Sequence, residues 1–487
     1  MRHALAVVVG ILGGIDLADA APPAMVEDIF GRNLENHGLV LVDWDGYIAN
    51  PAIKVFLSPP PGAALPATAV LSSNEPRLHF DLPSLARANG PRKELSFASR
   101  EKQPVYVAIF PDRDGHDDDL ALAIAFTDAD GRKTALSLPV HVVDQDRDRE
   151  SEFSITVDFS RDTTGFFADE RHLAEVLQAA DDWAYFLDGD GLAEVPAGAE
   201  TTFIWDPDGF KSGRDVTNTS AYRGYLLYAY GIRGNELRSG GEPSWHGQFQ
   251  KRGDDVLPVR RSGGLEIEVQ GNYNQRGWMV GLSDADWWKA VNLRETVADL
   301  YSIAHHEIGH ALFFNFANLR VKRGRQLDDP LLRAYLGSNP TIDKTDHFDG
   351  IVDPASRRGA FGNEYHGRLP WGRWLITKHD LLAAQAIGYK LRTTSAFAPL
   401  SIAEGRLPAG KLAAAYTVRL RAEGGIPLYD WSIADGALPE GIVLDSFSGE
   451  IRGTPRQGGQ FEFTVRLRDY DEGGKGVSRA MTLEVSE

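Results

Sequence analysis

The chain has 487 residues, 43% of them hydrophobic and 25% charged, which predicts a soluble globular protein of roughly two to four domains. Its formal net charge of −18 disfavours a nucleic-acid partner, because basic surfaces bind a phosphate backbone. No apolar stretch after the first residues is long enough to span a bilayer, so we expect no membrane span.

The first residues, "MRHALAVVVGILGGIDLADA", have the layout of a secretory signal peptide, with a basic start, an apolar run and small residues before the cleavage point. We expect residues 1–20 to be removed after Ala20 and the protein to be secreted, either extracellular or periplasmic. A buried N-terminal helix is the alternative, but Gly10, Gly13 and Gly14 disfavour it. Because the chain has 0 cysteines, core packing and bound ions must hold it together without disulfides.

Residues 21–150 predict an N-terminal β-sandwich domain. Short runs of alternating apolar residues, such as "LVLVDW", "RLHFDL" and "VYVAIF", are separated by turn-forming stretches rich in Pro, Asp and Gly. The acidic turn "DRDGHDDD" lacks the twelve-residue spacing of a calcium loop that ends in a bidentate Glu. We therefore interpret it as a solvated turn in an antiparallel sandwich.

The pattern changes at about Ser151, where a mixed α/β domain is predicted to begin and to extend to residue 395. "FSITVDFS" is typical of a strand, and residues 169–187 place apolar side chains at helical spacing. Residues 200–290 are rich in Gly, Trp, Tyr and Asn, which indicates twisted strands and long loops.

Residues 296–314, "TVADLYSIAHHEIGHALFF", are predicted to form one helix that carries the pattern H-E-x-x-H. On a helical wheel His306 and His310 share a face, with Glu307 at its border and the apolar stripe opposite. Residues four apart have Cβ atoms about 5–6 Å apart, so the two imidazoles can bind one zinc ion. His305 points elsewhere and is expected to pack in the core or to support the ligands from behind, and not to bind the metal itself.

This spacing also suggests a hydrolytic mechanism. Zinc held by imidazoles lowers the pKa of a bound water toward about 7, and Glu307 could accept its proton and pass it to a leaving amine. The pattern also arises by chance on solvated helix faces. The correctly opposed apolar stripe favours the metal site over that alternative.

The local form "HEIGHAL" resembles the zinc-dependent metzincin peptidases. Their usual continuation is absent, because Phe313 and Phe316 stand where the family has its Gly and its third His. The resemblance extends to the strand and helix that open the domain and to "RWLITKHDLLAAQAIGY", where Thr377 and Asp380 form the cap of a closing helix. It implies a metzincin-like catalytic fold over residues 151–392, with Zn²⁺ as the cofactor.

Because Phe316 cannot bind a metal, the third ligand must come after the helix that carries the H-E-x-x-H pattern. Among His347, Glu364, His366 and the acids Asp346, Asp349 and Asp353, we favour His347, because three imidazoles suit the metzincin-like ends of the domain; Glu364 is the alternative metal ligand. The long insertion before His347 would then be a surface loop whose end brings His347 to the metal. The family's Met-turn is missing, and "AFGNEYHG" could replace it, with Tyr365 supporting the oxyanion or the metal.

The last part of the chain, residues 396–487, returns to β character. Motifs such as "GGIPLYDWSI" and "LPEGIVLDSFSGEIRGTP" resemble the immunoglobulin-like modules appended to bacterial surface and secreted proteins. The resemblance implies a β-sandwich but no particular function. We expect this module to be an independent unit.

These observations favour a secreted zinc-dependent endopeptidase that acts on a protein or peptide substrate. The main alternative is a surface binding or adhesion protein whose peptidase-like domain is inactive. The intact Glu307 disfavours it, because a structural zinc site needs no such carboxylate. A metal-dependent hydrolase of non-peptide substrates also remains open, as do the cleavage preference and the oligomeric state.

Overall fold

The computed structural model describes residues 25–43, 47–48, 52–80, 92–144, 153–208, 211–234, 239–271, 277–282, 286–287, 297–315, 326–343, 347–350, 353–354, 373–392, 400–403, 407–425, 428–470 and 476–487. Within them the protein is built mostly from β-strands with few helices, in several packed units, as predicted. No described helix is long and apolar enough to cross a membrane. The predicted signal peptide lies outside the described residues.

The N-terminal part is a two-layer β-sandwich. Its strands are β1 (Val26–Glu27), β2 (Leu39–Asp43), β3 (Tyr47–Ile48), β4 (Ile53–Leu57), β5 (Ala67–Ser72), β6 (Leu78–Phe80), β7 (Arg92–Phe97), β8 (Gln103–Ile109), β9 (Asp118–Thr127) and β10 (Lys133–Asp144). One sheet has the order β1-β4-β8-β6 and the other β2-β10-β9-β5-β7. Alternate residues of both sheets form a buried core between them. The prediction of a wholly antiparallel sandwich is wrong at one place, because β2 pairs with β10 in parallel.

The middle part contains the described helices. It comprises β11 (Ser154–Asp158), α1 (Glu170–Phe186), β12 (Thr201–Trp205), β13 (Gly213–Thr217), β14 (Gly224–Ile232), β15 (Gly240–Pro243), β16 (Phe249–Arg252), β17 (Asp255–Arg260), β18 (Ser262–Glu268), β19 (Trp278–Met279), β20 (Ala298–Asp299), α2 (Leu300–Leu312), α3 (Pro330–Leu336), β21 (Ile376–Thr377) and α4 (Lys378–Ile387). The strand and helix predicted at the start of this part are present as β11 and α1. The Thr377–Asp380 cap predicted for the closing helix is confirmed, since α4 begins with that reciprocal capping box.

A four-stranded sheet, in the order β11-β14-β18-β15, supports α1 and α2 in the described structure. The first three of these strands run parallel, and β15 is antiparallel at the edge. Leu227, Leu265 and Ile267 are buried in one cluster with apolar residues of both helices. The helix with the H-E-x-x-H pattern is therefore held against the sheet by its apolar stripe.

The C-terminal part is a second, smaller sandwich. Its strands are β22 (Ser401–Ile402), β23 (Gly410–Lys411), β24 (Tyr416–Arg419), β25 (Ala422–Glu423), β26 (Asp430–Gly436), β27 (Ile442–Leu444), β28 (Glu450–Gly453), β29 (Gly459–Arg468) and β30 (Val477–Ser486). Two of its sheets, β23-β30-β29-β26 and β24-β28-β27, enclose a separate core that includes Trp431, Ile451 and Val465. This module therefore has the core of an independent domain.

The C-terminal module nevertheless docks on the N-terminal sandwich. Its Tyr470 is 5% exposed and belongs to the sandwich's core cluster, where its hydroxyl donates to Ala52 O at 3.2 Å. Arg32 of the sandwich donates to the backbone oxygens of Tyr429 at 2.9 Å and Ser446 at 2.6 Å. The module thus has a core of its own, while its surface contacts the N-terminal sandwich, and its independent folding stays a prediction.

The N-terminal sandwich also reaches into the helical part. Strand β3 pairs in parallel with β21, which leads into α4. Arg113, in the turn before β9, lies 2.5 Å from the carboxylate of Asp182 on α1, and the Asp182 side chain is fully buried. Tyr301 of α2 donates a hydrogen bond to the same carboxylate. A side chain of one domain thus neutralises a buried charge between the two helices of another.

We expect Arg113→Ala to destabilise the whole protein, because Asp182 would keep a buried charge without its cation. Removing one partner of a buried ion pair costs about 3–5 kcal/mol. Arg132→Ala is a matched control in the same domain, since Arg132 is 69% exposed in its ion pair and its loss should cost about 1 kcal/mol or less. Urea unfolding followed by tryptophan fluorescence measures both variants. Equal midpoints for the two would show that the buried pair contributes nothing.

Candidate metal centre

The helix that carries the H-E-x-x-H pattern is shorter than predicted. It begins at Leu300 instead of residue 296, because the Asp299 side chain accepts a hydrogen bond from the Ser302 backbone N–H at 3.1 Å and caps the helix there. It ends at Leu312, two residues before the predicted end, and Phe313 is its C-cap. The prediction of one continuous helix through the motif is confirmed, and only its ends differ.

A buried arginine fixes the start of this helix. Arg373 is 1% exposed and lies 3.2 Å from Asp299 and 2.9 Å from Glu175 of α1. Burial raises the pKa of Asp299, and the Arg373 guanidinium opposes that shift. The N-cap carboxyl group of α2 is therefore held in place by the segment before α4.

The two faces of α2 differ as the helical wheel predicts. Leu300, Ala304 and Ile308 are fully buried, whereas His306, Glu307 and His310 are half-buried. His305 is 2% exposed, and its ring stacks against those of Trp183 and Tyr301. Its expected role as a packing residue agrees with this position.

Three imidazoles converge on one point in front of α2. The donor nitrogens of His306, His310 and His347 all lie within 4.8 Å of one another. The Nε2 atom of His347 is 3.2 Å from that of His306 and 3.3 Å from that of His310. Nitrogen ligands at about 2.0–2.1 Å from a tetrahedral zinc ion are separated by about 3.3 Å. Two of the three separations between the histidine nitrogens therefore match those of zinc ligands, and the third is no more than 4.8 Å.

Hydrogen bonds to the backbone orient two of these histidines. His310 places its Nδ1 atom 2.8 Å from Phe314 O, which leaves Nε2 directed toward the other imidazoles. His347 is held by a small closed loop, because its backbone N–H donates to Asp343 Oδ1 at 3.0 Å and the Asp343 N–H donates to His347 O at 2.7 Å.

The segment that carries His347 is anchored by packing as well. Next to it, Phe348 is fully buried, with its ring 4.5 Å from that of Phe314 and 4.2 Å from that of His379, centroid to centroid. Ile342 and Phe348 form an isolated antiparallel bridge that closes the loop. The insertion after α2 thus returns to the site through a fixed turn.

Glu307 lies where the edge strand β15 crosses the helix. A Cβ atom on Gly241 of β15 would be 1.7 Å from Glu307 O, so only glycine permits this close approach. Burial raises the pKa of Glu307 well above its usual value, the charge of Glu266 adds to the rise, and a hydrogen bond from the Gly241 backbone opposes it. A divalent cation bound nearby would favour the carboxylate form of this side chain.

The structure describes only some of the other predicted site residues. Glu364, Tyr365, His366 and Asp346 lie outside the described residues, so their roles stay predictions. Among the described residues, Asp349 and Asp353 do not belong to the cluster of close donor atoms. Asp353 is instead fully buried and accepts hydrogen bonds from the Tyr335 hydroxyl at 2.9 Å and the His379 N–H at 3.0 Å. It links α3 to α4.

Sequence reasoning missed Asp343 and Gly241, both of which position the site. Asp343 lies four residues before His347, a spacing that suits a side chain that closes a tight turn on a backbone N–H. That spacing could have identified Asp343 from the sequence. No sequence pattern could have identified Gly241, because its close approach to α2 depends on the tertiary packing of β15.

Comparisons with known proteins identify one part of the chain. The family model described as "Putative Ig domain" matches residues 399–486, which confirms the predicted C-terminal immunoglobulin-like domain. A search of curated proteins finds no match.

Among solved structures, a putative alpha-galactosidase from Bacteroides fragilis is similar at 21% identity and a TM-score of 0.16, over 18% of this chain and 17% of that chain. A putative alpha-galactosidase/melibiase from the same organism matches at 17% identity and a TM-score of 0.16, with the same shares of the two chains. The cadherin domains of protocadherin gamma B2 match at 9% identity and a TM-score of 0.17, over 97% of this chain and 79% of that chain. Because the match spans 17% of each Bacteroides chain and all three TM-scores are low, these similarities carry no conclusion about function.

Proposed function

We propose that this protein is an exported zinc-dependent endopeptidase of the metzincin type, with Glu307 as its general base and acid. The observation that carries the proposal is the convergence of His306, His310 and His347, with Nε2 separations of 3.2 and 3.3 Å, beside a half-buried glutamate on the same helix. Three histidines with one further position open to solvent or substrate are the donor set of a catalytic zinc site.

The described residues suit zinc in chemistry as well as in spacing. Imidazole is a preferred zinc ligand, whereas calcium and magnesium prefer sites built from oxygen ligands. Zinc bound here would act as a Lewis acid and lower the pKa of water toward about 7. His306, His310 and His347 would hold the ion, and Glu307 would accept the proton released at the site and deliver it to the leaving amine.

The position of β15 supports a peptide substrate. It is the outer strand of its sheet in the described structure, and it crosses α2 at Glu307. An outer strand presents unpaired backbone N–H and C=O groups that can pair with an extended peptide. Such a peptide would pass the proposed metal centre. This arrangement favours a peptidase over a hydrolase of non-peptide substrates.

The fold around the site supports the metzincin-type assignment. Three parallel strands, an antiparallel edge strand and two helices on one face precede the His347 segment, and α4 with its Thr377–Asp380 capping box follows it. The third histidine departs from the family pattern, since it arrives on a separate turn after an insertion. Export rests on residues 1–20 and remains part of the proposal.

A surface-binding protein with an inactive peptidase-like domain is the second candidate. The immunoglobulin-like domain over residues 399–486 favours it, because such sandwiches host binding roles. The position of Glu307 beside the three histidines favours the peptidase, since a purely structural zinc site has no use for this carboxylate.

We expect purified protein to contain about one zinc ion per chain, since the three histidines form one ligand set. His306→Ala and His347→Ala should lose zinc equally, whereas Glu364→Ala should keep it. Metal analysis after dialysis measures the four proteins. Zinc loss in Glu364→Ala together with retention in His347→Ala would transfer the ligand role to Glu364.

Glu307→Gln should keep the fold and the zinc but lower peptide turnover by a factor on the order of 100 or more, because a positioned acid/base contributes at least that much. Glu194→Gln is a matched control, as Glu194 is exposed in the same domain. Digestion of a mixed peptide library, followed by mass spectrometry, gives the rates. Undiminished turnover in Glu307→Gln would refute the mechanism.

Asp343→Ala should weaken zinc binding by about 10- to 100-fold, the usual effect of removing a group that orients a metal ligand. Asp343→Asn should bind nearly as well as the native protein, because its amide oxygen can still accept the His347 N–H. Asp328→Ala is the control in the same insertion, where Asp328 pairs with Arg333 on the surface. Competition with a fluorescent chelator measures the affinities, and native affinity in Asp343→Ala would exclude this positioning role.

A further inference from the structure

An acidic and aromatic patch lies on the face of the sheet opposite α2. It consists of Trp205 on β12, Glu242 on β15, Trp245 in the following loop, and Tyr230 and Glu266 on the two neighbouring strands. The indole Nε1 atoms of Trp205 and Trp245 are each 3.4 Å from Glu242 Oε2. Trp245 is 48% exposed, whereas Trp205 and Glu242 are half-buried. Two indole rings thus flank a carboxylate that solvent can reach.

A second carboxyl group lies beneath this patch. Glu266 is 1% exposed and accepts a hydrogen bond from the Tyr230 hydroxyl at 2.5 Å. Its other oxygen, Oε2, is buried and has no hydrogen-bond partner within the described part of the chain. A buried polar atom without a partner is uncommon, and it indicates a group that a ligand could satisfy.

The two carboxyl groups share one location on the sheet. Gly264 of β18 pairs with Glu242 across the strands, and a Cβ atom on Gly264 would be 2.6 Å from Glu266 Oε1. The absence of a side chain at this position therefore leaves room for the Glu266 carboxyl group next to Glu242. Burial raises the pKa of Glu266 to about 8, and the charge of Glu242 contributes to the rise. A cation placed between them would relieve this repulsion.

The patch lies beside the course proposed for the substrate. Gly241 faces α2 and Glu307, so the next residue, Glu242, faces the opposite side of the sheet. An extended peptide paired with β15 would alternate its side chains between these two faces. A residue opposite Glu242 would have its Cβ atom about 4.5–5.5 Å from that of Glu242.

We propose that this patch is a subsite for a cationic side chain of the peptide substrate, with arginine preferred over lysine. The inference rests on the proposed peptidase function. A guanidinium group can bind a carboxylate through two parallel N–H donors and stack on aromatic rings, which a compact ammonium group does less well. An acidic substrate side chain would meet the charge of Glu242 and be disfavoured.

The test uses peptides that contain either arginine or citrulline, its neutral isostere, at each position around the cleaved bond. For the native full-length protein, we expect one position at which citrulline lowers kcat/KM by about tenfold, in the range of a cation–aromatic contact with a charge pair. Glu242→Gln should abolish this discrimination, and Trp245→Ala should reduce it. Glu194→Gln, at an exposed carboxylate in the same domain, should leave the ratio unchanged.

Peptide affinity provides a second measurement that does not require turnover. Measured by fluorescence anisotropy, the Glu307→Gln protein should bind the arginine peptide about tenfold more tightly than the citrulline peptide. The double variant that also carries Glu242→Gln should bind both peptides with the same affinity. Arginine-selective binding without any cleavage by the native protein would retain the subsite and refute the peptidase function. Cleavage without discrimination, or discrimination that survives Glu242→Gln, would overturn the subsite.

Discussion

Buried charge between α1 and α2 is the constraint on which the arrangement of this protein depends. Asp182, Glu175 and Asp299 all lie in the packed region between these helices, where a carboxylate is costly without a cation. Arg113 comes from the N-terminal sandwich and Arg373 from the segment before α4, so two distant parts of the chain neutralise the same helix pair. The helix that carries two of the three histidines is therefore fixed at its first turn by charges, and along its length by apolar packing.

Residue spacing and helix-capping patterns correctly predicted the features that depend only on residues close together in the sequence. The four-residue spacing of His306 and His310 fixes their common face, and the Thr377–Asp380 box fixes the start of α4. The contacts of Arg113 could not be predicted in this way, because its partner is 69 residues away and the acidic turn around it resembles an ordinary surface loop. The start of α2 was predicted too early for the same reason, namely a contact between distant residues. Asp299 caps the helix at Leu300, and the arginine that pairs with Asp299, Arg373, is far away in the sequence.

For the histidine cluster, residue type and spacing were enough to reduce the candidates for the third ligand to a few residues. Sequence reasoning favoured His347 over several acids, and the structure brings it beside the other two imidazoles. The closed turn formed by Asp343 and the packing of Phe348 explain how a residue 41 positions from His306 reaches the same point. These contacts involve backbone groups and ring packing, whose geometry a single sequence does not encode at any one position.

The contact between the C-terminal module and the N-terminal sandwich changes what such a module can do. A domain on a free linker samples many orientations, and its local concentration near a target follows the length of that linker. Here Arg32 and Tyr470 give the module one orientation on the sandwich, which is itself bound to the helical part. If the module binds a surface, it would therefore hold the proposed metal centre at a constant angle and distance from that surface, as a rigid spacer would.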